Sequence, residues 1–161
     1  MKYVILFILI SFQLSAQSDR VLKKATKLIE KTYDTDDLQL IQNNFEVNDV
    51  VGNLYNVFDK DLLKGYAFVG TALSKTDTFE YLVVFDQDLI IKKISVLVYR
   101  EDYGGEIGSN RWLKQFTGKS TNTDFSVGEN VAAISGATIS VYSMTNAVNE
   151  LLSEMDNFDH I

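Results

Sequence analysis

The chain contains no cysteine, no proline and a single histidine in 161 residues. The missing thiols exclude an iron–sulfur cluster, a thioether-bound haem, a disulfide frame and a lipid-acylated N-terminal cysteine. The one histidine, His160, lies in the C-terminal tail, so no histidine-based triad is available. Ser135 and Ser140 therefore lack a base to activate them, and a hydrolase is excluded on that ground. A zinc site would have to rest on carboxylates alone, against the usual preference for histidine and cysteine. Any redox chemistry then falls to an organic cofactor. Without proline, the turns must be made by Gly, Asn and Asp. Positive charge is also scarce: 15 basic residues face 22 acidic ones, a net charge of −7. The lysines are scattered, with Lys23, Lys24 and Lys27 on one predicted helix and Lys92 and Lys93 on a predicted strand. A nucleic-acid partner, which demands clustered Lys and Arg, is excluded.

The first sixteen residues read as a targeting segment rather than as fold. Lys2 supplies a short positive region, Tyr3 to Leu14 a mostly apolar run, and Leu14-Ser15-Ala16 small residues before Gln17. This pattern predicts a secretory signal cleaved after Ala16 and an exported protein, periplasmic or on the outer face of the cytoplasmic membrane. Retention of the segment as an N-terminal anchor is the alternative, although the run is short for a span. Residues 17–49 are expected to form an N-terminal helical segment, 50–155 the main domain and 156–161 a tail, a length that suits one domain.

Ser18 to about Tyr33 reads as a helix, with Val21, Leu22, Ala25, Leu28 and Ile29 on one face and Ser18 as its N-cap. The acidic residues from Asp34 to Asp37 read as a solvated loop more readily than as metal ligands. Leu38 to Val47 fits either a short helix or a strand. Strands are expected from about Val50 to Phe58, from Gly65 to Leu73, and in a hairpin of Phe79–Phe85 and Leu89–Tyr99, with turns at 59–61 and 86–88. The last of these runs is apolar on both alternating sets, as expected of a central strand covered on both faces. Asn110 is placed to cap a short helix running to Phe116, and Val131 to Ile134 reads as a short buried strand. A final helix from about Ser140 to Met155 carries the apolar stripe Val141, Met144, Val148, Leu151, Leu152 and Met155. Strands in series with helices at both ends predict an α+β domain with a mainly antiparallel sheet.

Just ahead of that last helix stands Ile134-Ser135-Gly136-Ala137-Thr138-Ile139-Ser140. Small residues and an exposed hydroxyl at a helix start suit a phosphate. The first backbone N–H groups of a helix have no internal partner, and its dipole favours negative charge there. Gly136 and Ala137 allow close approach, and Thr138 is placed to contact a phosphate or to be joined to one.

Ser135-Gly136-Ala137-Thr138, followed one residue later by Ser140, resembles the flavinylation motif of the FMN-binding domain family. That family includes the flavin-carrying G subunit of the Rnf complex and the C subunit of the sodium-pumping NADH:quinone reductase. The surroundings extend the resemblance over roughly residues 50–152. Gly65-Tyr66-Ala67-Phe68, the hairpin from Tyr81 to Tyr99, Arg100-Glu101-Asp102-Tyr103-Gly104-Gly105 and Arg111-Trp112-Leu113-Lys114-Gln115-Phe116 occur in the family's order. The resemblance implies FMN esterified through its phosphate to Thr138, with Ser135, Gly136, Ala137 and Ser140 around it. It also implies that the loop of Glu101, Tyr103, Gly104 and Gly105 approaches the flavin, with Trp112 or Tyr103 as a ledge for the ring. Trp112 reads equally well as core. Family members often carry Glu-Thr-Pro-Gly-Leu-Gly where this chain has Glu101 to Glu106, so Tyr103 replaces the proline and the second half diverges. Arg100 is expected either to polarise the flavin or, better, to pair with Glu101. The family is loaded by a flavin transferase that uses FAD and magnesium and releases AMP. The implied role is electron carriage between a donor and an acceptor that the sequence does not name, a membrane electron-transport complex among the candidates. The alternative is a flavin-less binding module of the same fold.

Overall fold

The computed structural model describes residues 2–44 and 49–158, and the side chains of these from Ser18 onward. Helix α1 spans Lys2–Tyr33, and strands β1 (Leu38–Gln42), β2 (Val51–Asp59), β3 (Leu62–Leu73), β4 (Thr78–Asp86) and β5 (Ile91–Val98) follow. A 3-10 turn (Gly105–Gly108), short helix α2 (Asn110–Leu113), a second 3-10 turn (Lys114–Phe116) and helix α3 (Thr138–Asp156) complete the chain. All strand pairs are antiparallel, in the order β1-β2-β3-β4-β5. The α+β class expected from the sequence is the class observed. Among the described residues no helix is long and apolar enough to cross a membrane.

The sheet is covered on both faces. Val21, Ala25 and Ile29 of α1 pack with Val57, Ala67, Leu82, Val84 and Leu97. Tyr66, Phe68, Tyr81, Val83 and Phe85 face the other way and meet Val141, Met144, Val148, Leu151 and Leu152 of α3. Successive residues of a strand point to opposite faces, so Val83 and Val84, both fully buried, belong to different cores. Phe158, just beyond α3, stands edge-on to Tyr66 with ring centroids 4.9 Å apart. At the sheet's far end the Tyr33 hydroxyl donates to the Phe85 carbonyl, tying the end of α1 to β4.

Several local expectations are corrected. Helix α1 runs through Ser18 instead of starting there, since no glycine or proline interrupts the preceding run. Leu38–Gln42 is the strand of the two possibilities, paired with β2; Phe45 to Val47 of the same ambiguous run lie outside the described residues, as does His160. β5 is an edge strand, not a central one. Its two-sided burial comes from α1 on one face and from the Gly105–Phe116 segment on the other. Its outer edge is partly taken as well: Ile91 N–H donates to Lys119 O at 2.8 Å and Gly118 N–H to Ile91 O at 2.7 Å. Ser109, not Asn110, caps α2 by accepting from Trp112 N–H. Asn110 Oδ1 instead accepts from Lys93 Nζ at 3.3 Å.

The run from Val131 to Ile134 is not a buried strand. Val131 makes a single bridge to Val127, and Ala132 and Ala133 are exposed. Side chains hold it in place of a ladder. Ala132 N–H donates to Gln115 Oε1 and Ala132 O accepts from Trp112 Nε1, both at 2.7 Å. This stretch delivers the chain to α3 and to the site.

Candidate functional site

Helix α3 begins at Thr138, two residues earlier than its apolar stripe suggests. A turn leads into it: Ala137 N–H donates to Ile134 O at 3.2 Å, and Gly136 holds φ +79°. That left-handed conformation favours glycine, and a Cβ at Gly136 would meet nothing within 4 Å, so the backbone there lies open. The first helical N–H to find an acceptor is that of Val141, bonded to Ala137 O at 2.9 Å. Ala137 occupies the N-cap position without a side-chain hydrogen bond, and no acidic residue stands in the first turn. The N–H groups of Thr138, Ile139 and Ser140 are thus left for solvent or a ligand, with the positive end of the helix dipole behind them.

A cleft of about 380 Å³ opens at this helix end. It is lined by Lys75, Tyr99, Glu101, Tyr103, Gly136, Ala137, Thr138, Ile139 and Ser140, and its volume falls within the range of small-molecule sites. Three stretches distant in sequence build it. The first is the Ser74–Asp77 turn between β3 and β4. The second is the segment after β5, and the third is the start of α3.

Close contacts join these walls. Tyr99 Oη and Ser140 Oγ lie 3.0 Å apart, and Ser140 is only 2% exposed. Gly104, at φ +78°, lies against Ala137; a Cβ on Gly104 would come within 2.5 Å of the Ala137 Cβ. Glu101 spans to the hairpin turn, accepting from Thr76 N–H at 2.7 Å and from Thr76 Oγ1 at 2.9 Å. Hydrogen bonds from Ser74 and then Thr76 hold the Glu101 carboxyl at about 2, below its ordinary 4.5.

The residues expected at the site divide accordingly. Gly136, Ala137, Thr138, Ser140, Glu101 and Tyr103 line the cleft together. Gly104 supports it from behind through Ala137. Ser135, exposed in the turn, and Gly105, which opens the first 3-10 turn, do not line it. Trp112 takes the core alternative. It is 5% exposed, lies 5.3 Å from the Phe116 ring, and spends its N–H on Ala132. Tyr103 is 80% exposed at the cleft mouth. Arg100 does not pair with Glu101. Its guanidinium meets Glu80 at 2.7 Å and donates to Thr78 O at 2.8 Å. Neighbours along an extended chain project to opposite sides, which separates Arg100 from Glu101. Ile139 lines the cleft from within the motif, where it carried no assigned role, and Lys75 and Tyr99 line it without having been marked as site residues. Their position depends on which turn and which strand end the fold brings to the helix.

Among the described residues no group of His, Asp and Glu is arranged to hold a metal ion. Residues 75–153 match the family model for the FMN-binding domain. This segment belongs to that family. The FMN-binding domain so defined contains every residue that lines the cleft, from Lys75 to Ser140. It starts later than the resemblance over 50–152 implied, leaving α1, β1, β2 and β3 ahead of the match. No curated protein matches the chain. The cleft suits the cofactor of an FMN-binding domain. An open glycine turn, an uncapped helix start and an exposed hydroxyl on Thr138 fit a phosphate, and Tyr99, Tyr103 and Ile139 offer apolar surface beside it.

Proposed function

We propose that the protein is an exported flavoprotein that carries FMN through a phosphoester at Thr138 and serves as an electron carrier. The observation that carries the reading is the exposed Thr138 hydroxyl at the uncapped start of α3, inside a cleft of an FMN-binding domain. In this reading a flavin transferase cleaves the pyrophosphate of FAD, joins the FMN phosphorus to Thr138 Oγ1 and releases AMP. The hydroxyl proton passes to solvent. Bound FMN supplies reversible electron uptake and release at a site that offers no thiol or metal cluster of its own.

The chain's own part is positional. The N–H groups of Thr138, Ile139 and Ser140 would meet the charge of a phosphodiester at Thr138, a favourable interaction of roughly 0.3–1 kcal/mol for an exposed helix end. Gly136 keeps side-chain bulk away from it. The Tyr99–Ser140 hydrogen bond fixes the first turn of α3 against the end of β5. The apolar leader at residues 3–14 supports export, and a tethered flavin suits a compartment from which free flavin would diffuse away. The electron donor and acceptor, a membrane electron-transport complex among them, belong to the proposal only as classes.

The test is the intact mass of the exported protein, co-produced with a flavin transferase, beside Thr138→Ala. A gain equal to FMN less one water in the wild type, absent from the variant, is the expected result. No gain, with the transferase shown to modify a known substrate, replaces this reading with a flavin-less binding module.

A further inference from the structure

Lys75 is the basic residue among those that line the cleft, and no sequence motif singles it out. Its surroundings are unusually constrained for a surface lysine. It sits in the Ser74–Asp77 turn, where Ser74 N–H donates to Asp77 O at 2.8 Å and Asp77 N–H to Ser74 Oγ at 3.3 Å. The next residue, Thr76, gives both its N–H and its hydroxyl to Glu101. The backbone on each side of Lys75 is therefore pinned, and Ser74 is buried.

The nearby acids are occupied elsewhere. Glu101, which lines the same cleft, spends its carboxylate on the turn. Asp77 Oδ1 accepts from Thr78 N–H at 2.7 Å. The ion pair found among the described residues is that of Arg100 with Glu80, and Lys75 takes no part in it. In a chain of net charge −7, the cleft thus gathers Lys75 and an uncapped helix N-terminus in one volume, with the Glu101 carboxylate turned to the Thr76 donors.

We infer that Lys75 is the residue by which this cleft selects the phosphorylated form of the flavin, and that Glu101 is the positioning residue that holds the Lys75 turn at the cleft. The inference rests on the cleft being the flavin site, and it assigns to two of its residues parts that the attachment motif does not contain. Free FMN carries nearly two negative charges on its phosphate at neutral pH, and riboflavin carries none there. A lysine beside a helix N-terminus therefore separates the two ligands while leaving contacts to the ring untouched.

The test uses the full chain made without a transferase, titrated with free FMN and with riboflavin by fluorescence quenching. Wild type is expected to hold FMN more tightly than riboflavin. Lys75→Met is expected to weaken FMN by roughly fivefold, the effect of a partly exposed charge pair, and to leave riboflavin unchanged. Lys75→Arg restores the preference. Glu101→Gln, with Lys75 in place, lowers it part of the way, although loss of a carboxylate from the cleft would by charge alone strengthen FMN binding. A rise instead removes Glu101 from the positioning role. Raising sodium chloride from 20 to 300 mM erodes FMN binding in the wild type more than in Lys75→Met, a response that a merely structural role would not produce. FMN held no tighter than riboflavin by the wild type, or held equally by wild type and Lys75→Met, overturns the inference. The mass measurement above is independent: a wild type that gains FMN covalently but shows no preference here loses only the role of Lys75.

Discussion

On one side of the cleft, the polar groups of the hairpin turn are already spoken for. Thr76 bonds to Glu101, Ser74 and Asp77 bond to each other, and Arg100 is drawn away to Glu80. On the other side, the start of α3 is bare: no side chain caps it, no acid faces its dipole, and Gly136 keeps its flank open. The contrast shows how a binding site stays both shaped and available. The wired wall fixes the geometry and leaves few donors free, while the bare wall keeps donors that only a ligand satisfies.

The strongest way to break this contrast is to remove the group on the bare wall that forms a bond. Thr138→Ala is expected to abolish covalent loading while moving unfolding stability by less than about 0.5 kcal/mol, because the side chain is exposed and caps nothing. Mass spectrometry and a urea melt on one preparation check both halves. Next in size is the seam between the walls. Gly104→Ala puts a methyl into the space of the Ala137 Cβ at a positive φ, and about 2–3 kcal/mol of stability should be lost. A shift of the urea midpoint reads this loss, and an unchanged midpoint would mean that the walls do not touch there. Ser140→Ala leaves the Tyr99 hydroxyl without its partner, at a cost of about 1 kcal/mol by the same melt.

The smallest effect sharpens the wired wall itself. The Glu101 carboxyl titrates at about 2 in the folded chain against an ordinary 4.5. A depressed carboxyl contributes stability that is present above the unfolded value and lost as pH falls through the folded one. Glu101→Gln should therefore flatten the fall in stability between pH 4.5 and 2, with little change in slope above pH 5. Parallel slopes for the two proteins in that window would remove Glu101 from the latch.

Much of this was legible in residue order. Alternation and short turns located β2 to β5, and small residues before an apolar stripe located the helix start at the site. Strand position was not legible in the same way. β5 looks central because two-sided burial has one signature whether a strand has neighbours on both edges or is wrapped by helices and a loop. The Val131–Ile134 run looks like a strand because its composition says nothing of Trp112 and Gln115 reaching in to hold it. Ser109 and Asn110 are both good caps, and only the path of the backbone decides between them. Lys75 and Tyr99 escaped notice because their value comes from meeting α3 across more than 38 residues of sequence, a pairing that periodicity does not encode.

The covered edge of β5 has a consequence of another kind. A sheet with two free edges is an open-ended template, and each added copy presents a new edge for the next. Here residues 118 and 119 occupy the outer edge of β5 at Ile91 only, and the outer side of β1 has no strand partner among the described residues. Addition of strands between copies is obstructed at the Ile91 end of β5, and β1 is the less hindered of the two edges. The sheet is in effect a growing polymer with one end partly masked.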